Sequence, residues 1–228
     1  MALLKSTTFN HIMNNPLQHL LAAVALCGLV CGCATDSSTK SFAQAAAPRD
    51  DVAEFRKIVA GSLRTTKDAL ESLDAVGVQA SGDPADAVRI FAGEVQELEV
   101  ESVRMRSRAL AMERSGEAYF AQWHKKLAAH PEASTRDAAA RNRDQLQKSF
   151  DALHATSLQL RTAFKPFLSN LRQARNTLEA QPDLSGVDAA KQWIVASHKT
   201  GREVQSLLAT MLAELNTISA LLKSVPNP

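Results

Sequence analysis

The chain has few of the residues from which β-sheets are built. Only 5% of its 228 residues are aromatic, and Ala and Leu dominate the apolar fraction of 45%. β-branched and aromatic residues favour strands, whereas Ala and Leu favour helices. Glycine and proline are also scarce, with 9 and 8 copies. The composition therefore favours an all-α fold.

The chain also lacks an excess of charge of either sign. It has 26 basic and 24 acidic residues, which gives a formal net charge of +2 at pH 7. Proteins that bind nucleic acids through electrostatic attraction carry a basic face or stripe. We therefore expect no nucleic-acid partner.

Sequence signals of catalysis are missing as well. The three cysteines all lie between residues 27 and 33, so the remaining chain offers neither disulfides nor a thiolate metal site. No histidine has a metal-ligand spacing, and neither a Gly-rich phosphate loop nor a Gly-x-Ser-x-Gly motif occurs. Asp151 and His154 share a helix face, which a surface ion pair explains better than a catalytic dyad. The sequence predicts a protein without metal, cofactor or enzymatic activity.

One short segment does carry a specific signal. A single basic residue, Lys5, precedes an apolar run over residues 20–30, which is too short to span a bilayer. The run ends in Val30-Cys31-Gly32-Cys33, the pattern of a lipoprotein signal peptide whose last cysteine is acylated after cleavage. We therefore predict lipidation of Cys33. A plain secretory signal cleaved elsewhere is the alternative.

The segment after Cys33 predicts a tether and a location. Residues 34–48 have no sustained apolar period and end in Pro48, so they are expected to form a flexible link. Ala34 stands where an aspartate would signal retention in the inner membrane of enterobacteria. The prediction is a signal peptide over 1–32, a lipidated tether over 33–50 and a helical domain over 51–228. The expected location is the outer membrane, facing the periplasm.

Capping chemistry predicts four helices in the domain. A short polar residue followed three residues later by an acid marks a helix start, and this pattern begins at Asp51, Asp83, Ser134 and Ser185. Breaks between these starts give predicted helices over 51–76, 84–128, 134–180 and 186–223. The connections are short, which favours antiparallel neighbours.

Apolar residues in each helix recur at alternating steps of three and four, as in coiled coils. If the last two helices fold back near Leu184, Leu153 meets Leu215 and Phe167 meets Gly201. The match of a large with a small side chain favours this register. We predict a long up-down-up-down antiparallel bundle.

Three aromatic residues, Tyr119, Phe120 and Trp123, stand near the end of the second predicted helix. The end of the second helix extends beyond the start of the first helix, so the first helix covers these aromatic side chains only in part. The cluster is expected either to fill the core against the third helix or to form an exposed docking patch for a partner.

The stretch from Tyr119 to Leu127 and the stretch from Phe164 to Leu171 together look like a proteobacterial family of lipid-anchored or periplasmic proteins. That family is catalogued as domain of unknown function 2959. The resemblance covers residues 50–223 and implies a helical, coiled-coil body. It implies no activity and no catalytic residue.

Two functions follow as hypotheses from the anchor and the bundle. The first is a membrane-anchored structural or protein-interaction module of the cell envelope, whose partner is an envelope protein or peptidoglycan. The second is a periplasmic carrier of a small ligand, which would require a continuous apolar cavity near Ser157, Ser197 and Gly201.

Overall fold

The computed structural model describes residues 47–79, 84–129 and 131–224. The predicted signal peptide, Cys33 and the rest of the predicted tether up to residue 46 lie outside the described residues. His130 and the predicted helix start at Asp83 lie outside them too.

Four long helices make up the described part of the chain, and no strand occurs there. The helices are α1 (Ala47–Gln79), α2 (Ala85–Ala129), α3 (Ala133–Ala180) and α4 (Leu184–Ser224). The prediction of an all-α bundle is confirmed. The longest helix, α3, has 48 residues and contains Pro166. At 1.5 Å per residue it is about 72 Å long.

The helix starts differ from those that the capping pattern predicted. Helix α1 begins at Ala47, four residues before Asp51. At the start of α4 the backbone N–H of Gly186 donates to Asp183 Oδ1 at 2.9 Å, so Asp183 and not Ser185 provides the capping carboxylate. A Cβ atom at Gly186 would overlap the carbonyl oxygen of Gln181, which explains why this turn requires glycine.

Contacts between the helices show which of them are neighbours in the bundle. Helix α1 joins α2 through Arg108 and Glu54 at 2.6 Å, and α3 joins α4 through a hydrogen bond of 2.9 Å from Thr156 to Glu214. In addition, α1 contacts α4 and α2 contacts α3. Each helix therefore packs against two antiparallel neighbours, in an up-down-up-down bundle.

The buried side chains form one continuous core along the bundle. The predicted register of α3 and α4 is confirmed at Gly201, where an added Cβ would lie 3.0 Å from Phe167 Cε2. The same Cβ would lie 2.8 Å from Leu70 Cδ1, so a side chain of α1 also fills this space. Close approach of three helices here depends on the absence of a side chain at position 201.

We expect the replacement Ser197→Ala to stabilise the bundle. The Ser197 side chain is fully buried, and its Oγ has no hydrogen-bond partner among the described residues. Alanine removes this unsatisfied hydroxyl and has a higher helix propensity, so the free energy of unfolding should rise by about 1 kcal/mol. Urea unfolding followed by circular dichroism measures it. Ser206→Ala, at an exposed position of the same helix, should gain only about 0.5 kcal/mol from propensity. A loss of stability in Ser197→Ala would contradict this prediction.

Candidate binding groove

Helices α2 and α3 pack less closely than the other neighbouring pairs. Between them lies a groove with a volume of about 910 Å³, within the range of small-molecule pockets. On α2 it extends from Glu99 to Phe120, and on α3 from Gln147 to Arg172. It is the main candidate site in the described part of the chain.

The floor of the groove is apolar. It consists of core side chains that all four helices contribute, including aromatic rings and flexible methionines. These floor residues are Phe55, Met105, Met112, Phe150, Leu153, Leu160, Phe164, Leu168 and Met211. Methionine side chains adapt to irregular shapes, so this floor can accommodate an apolar ligand.

Large apolar side chains also stand on the rims of the groove. Val100, Val103 and Leu110 on α2 and Leu158 on α3 are between 48% and 65% exposed. Single exposed apolar residues are normal on protein surfaces, but contiguous ones indicate an interaction site. These four residues extend the apolar floor to the outer surface of the bundle.

Charged side chains line the same rims, and some of them form pairs across the groove. At one end Glu99 pairs with Arg172 at 2.6 Å, and its carboxylate lies 3.9 Å from Arg175. In the other half Glu113 contacts His154 at 3.4 Å. These contacts join α2 to α3 across the groove and hold its two walls together.

The predicted aromatic cluster is mostly part of the core. Tyr119 and Trp123 are buried, with ring centroids 5.4 Å apart in an edge-to-face arrangement. Burial raises the pKa of the Tyr119 hydroxyl above its usual value, which nearby Arg49 partly opposes. Core filling is thus the correct alternative for these two residues. Phe120 is half-buried, lines the groove and contacts the ring of Phe150.

The histidines are spread over the bundle. His154 contacts Glu113, so the predicted pairing of Asp151 with His154 is wrong; Asp151 instead accepts a hydrogen bond of 2.9 Å from Gln147. His198 on α4 lies 2.8 Å from Asp74 on α1. Across the described ranges, no group of three His, Cys, Asp or Glu residues could hold a metal ion.

The cavity that the carrier hypothesis requires is present, but at a different place. Ser157 lines the groove between α2 and α3. Ser197 and Gly201 are buried on α4, and neither lines the groove. The space above Gly201 is occupied by Leu70 and Phe167, so no cavity is present at this position.

The exposed positions of the rim were not predicted from the sequence. The repeat of apolar residues indicates only which side of each helix faces the core. Val103 and Leu158 are apolar residues that lie next to positions of that repeat in the sequence. Their apolar character was the available sequence signal for the rim.

Comparisons with protein-family models, curated proteins and solved structures found no match to this chain. The resemblance to domain of unknown function 2959 thus stays a prediction. None of the helices described is long and apolar enough to cross a membrane.

Proposed function

We propose that the protein is a lipid-anchored helical module of the cell envelope, which acts through its surface and without catalysis. The observation that carries the proposal is the Val30-Cys31-Gly32-Cys33 stretch, which precedes a short tether and a long helical bundle. The expected attachment is to the outer membrane on its periplasmic side. Its expected partner is an envelope protein or peptidoglycan.

A second candidate function is the transport of a small ligand in the periplasm. The groove between α2 and α3 favours it, because an apolar floor continues to rims that carry exposed Leu110 and Leu158. A site of about 910 Å³ is large enough for a small organic molecule.

Acylation of Cys33 tests the anchor. We expect the mature chain to begin at Cys33 with three acyl chains, each contributing about 0.8 kcal/mol per buried CH₂ to membrane attachment. Mass spectrometry of the mature N-terminal peptide and membrane fractionation are the measurements. Cys33→Ser should abolish the modification and release the protein or leave it unprocessed.

Cys31→Ser is the matched control, because it changes a neighbouring thiol but leaves the acylated cysteine in place. This variant should be processed and lipidated like the parent chain. An unmodified mature chain that begins at another residue would contradict the anchor and favour a plain secretory signal.

A further inference from the structure

The shape of the groove restricts what can fill it. From Glu99 to Phe120 it runs roughly 32 Å along α2. Its apolar floor continues over this length between the two helices. A hydrocarbon chain, about 4–5 Å wide at carbon contact distances, can lie along such an elongated apolar floor.

Three cations on the rims lie close to one level of the groove. Arg161 and Lys165 are one helical turn apart on α3, and Arg106 lies on the facing wall of α2. All three side chains line the groove and are exposed. Among the described residues none forms an ion pair or side-chain hydrogen bond with these three, whereas Arg172 is paired with Glu99. They are available to an anion.

The other charges on the rims limit the size of that anion. The lining contains four Lys or Arg residues and four Asp or Glu residues, namely Arg106, Arg161, Lys165 and Arg172 against Glu99, Glu113, Glu117 and Asp151. Glu117 and Asp151 lie towards the Phe120 end, away from the three cations. This balance suits a singly charged head group and opposes a polyanion, because a polyanion would be repelled by the acidic half of the groove.

We propose that the groove binds a long-chain fatty acid. Its carboxylate interacts with Arg106, Arg161 and Lys165, and its hydrocarbon chain extends towards Phe120 and Phe150. From the level of Arg106 to Phe120 the groove runs roughly 21 Å. An extended chain advances about 1.2 Å per bond, so this length suits about sixteen to eighteen carbons. The inference rests on the ligand-carrying function proposed above and is independent of the lipid anchor.

The test is photo-crosslinking on the purified full chain, where the probe cannot be incorporated into lipid by metabolism. The probe is a palmitate analogue with a photoreactive group in its chain and an alkyne for detection. We expect the labelled peptides to come from residues 99–120 of α2 and 147–172 of α3. Labelling of other parts of the chain in preference to these would overturn the proposal.

The charges are tested by the triple replacement Arg106→Gln, Arg161→Gln and Lys165→Gln. Loss of the interactions with the carboxylate should reduce groove labelling about tenfold or more at a subsaturating probe concentration. The matched control replaces three exposed arginines that do not line the groove, Arg64, Arg114 and Arg202, and should label like the parent chain. Equal labelling of the two triple variants would overturn the role of the cations.

A monoacylglycerol analogue with the same chain and an uncharged head separates this inference from the carrier function. We expect it to label the parent groove weakly and to be unaffected by the triple replacement. If it labels the groove and palmitate does not, the fatty-acid assignment is wrong and the carrier function stands. If neither probe labels the groove, the fatty-acid assignment and the carrier function are both wrong.

A replacement that fills the groove gives an independent readout. Ser157 is half-buried and lines the groove, so Ser157→Phe should occupy the space of the chain and reduce labelling by both probes. Ser149→Phe, a position on the same helix that does not line the groove, is the control. Unchanged labelling in Ser157→Phe, with helical content preserved, would contradict a chain bound at this level.

Discussion

Replacing Gly201 by leucine is expected to lower the free energy of unfolding by about 1–3 kcal/mol. The position is buried, and already the first atom of a side chain would lie 2.8 Å from Leu70 Cδ1 and 3.0 Å from Phe167 Cε2. Overpacking of this kind outweighs the gain of about 1 kcal/mol that a better helix former brings. Urea unfolding of residues 34–228 provides the measurement.

Gly93 provides the control for Gly201. It lies on an exposed side of α2, and an added Cβ would meet no atom within 4 Å. Gly93→Leu should therefore raise the free energy of unfolding by up to about 1 kcal/mol, from helix propensity alone. Opposite signs at the two glycines are expected. A gain at both positions would show that position 201 can accommodate a side chain and that the observed packing is wrong.

Phe167→Ala is expected to have the largest effect of any single replacement that we consider. The ring is fully buried between α3 and α4 and packs edge-on against Phe164, with centroids 5.9 Å apart. Loss of a buried phenyl ring costs about 3–5 kcal/mol, since the cavity that remains is only partly closed by relaxation. A drop in the thermal midpoint, with helical content retained at low temperature, is the expected observation.

The double variant Phe167→Ala with Gly201→Leu tests whether these two residues share one space. The new leucine then extends into the volume that the ring has left, so the double variant should be more stable than the sum of the single changes predicts. A coupling free energy of about 0.5–3 kcal/mol is typical of residues in contact. Strict additivity would indicate that the two residues do not compete for the same volume.

The sequence allowed the helices and their pairing to be predicted because both depend on simple periodic patterns. The spacing of apolar residues in α3 and α4 gives the two facing stripes, and the match in size between Phe167 and Gly201 selects the register between them. Helix starts were harder to predict. Asp183 and Ser185 are both good capping residues, and only the backbone geometry of the turn decides that Asp183 accepts the bond from Gly186.

The groove depends on distances that the pattern of apolar residues does not contain. The spacing in α2 and α3 is the same as in the closely packed pairs, yet these two helices leave a gap. At Gly116, by contrast, the two helices are in close contact, because an added Cβ would lie 3.0 Å from Phe150 Cε1. Volumes on facing helices must be summed in three dimensions to find such a gap.

The pairing of the acidic residues on α2 could not be predicted from the sequence either. A charge-rich stretch such as Glu94 to Glu101 indicates a solvated helix surface. In the structure Glu99 pairs across the groove with Arg172, while partial burial raises the pKa of Glu94, and Glu97 and Asp68 raise it further. The register between the helices decides whether an acidic side chain of α2 interacts with residues of its own helix or pairs with a residue of another helix.

The described ends of the chain lie at one end of the bundle, because Arg49 Nη2 of α1 donates to the carbonyl oxygen of Leu222 at 2.7 Å. The connection between α2 and α3 shares that end, and the turn at Gln181 lies at the opposite one, about 60 Å away along α4. If the chain is attached through its N-terminus, this end of the bundle is the one nearest to the attachment point along the chain. A reporter fused after α4 would then read out the proximal end, and one inserted at the Gln181 turn would measure how far the molecule reaches.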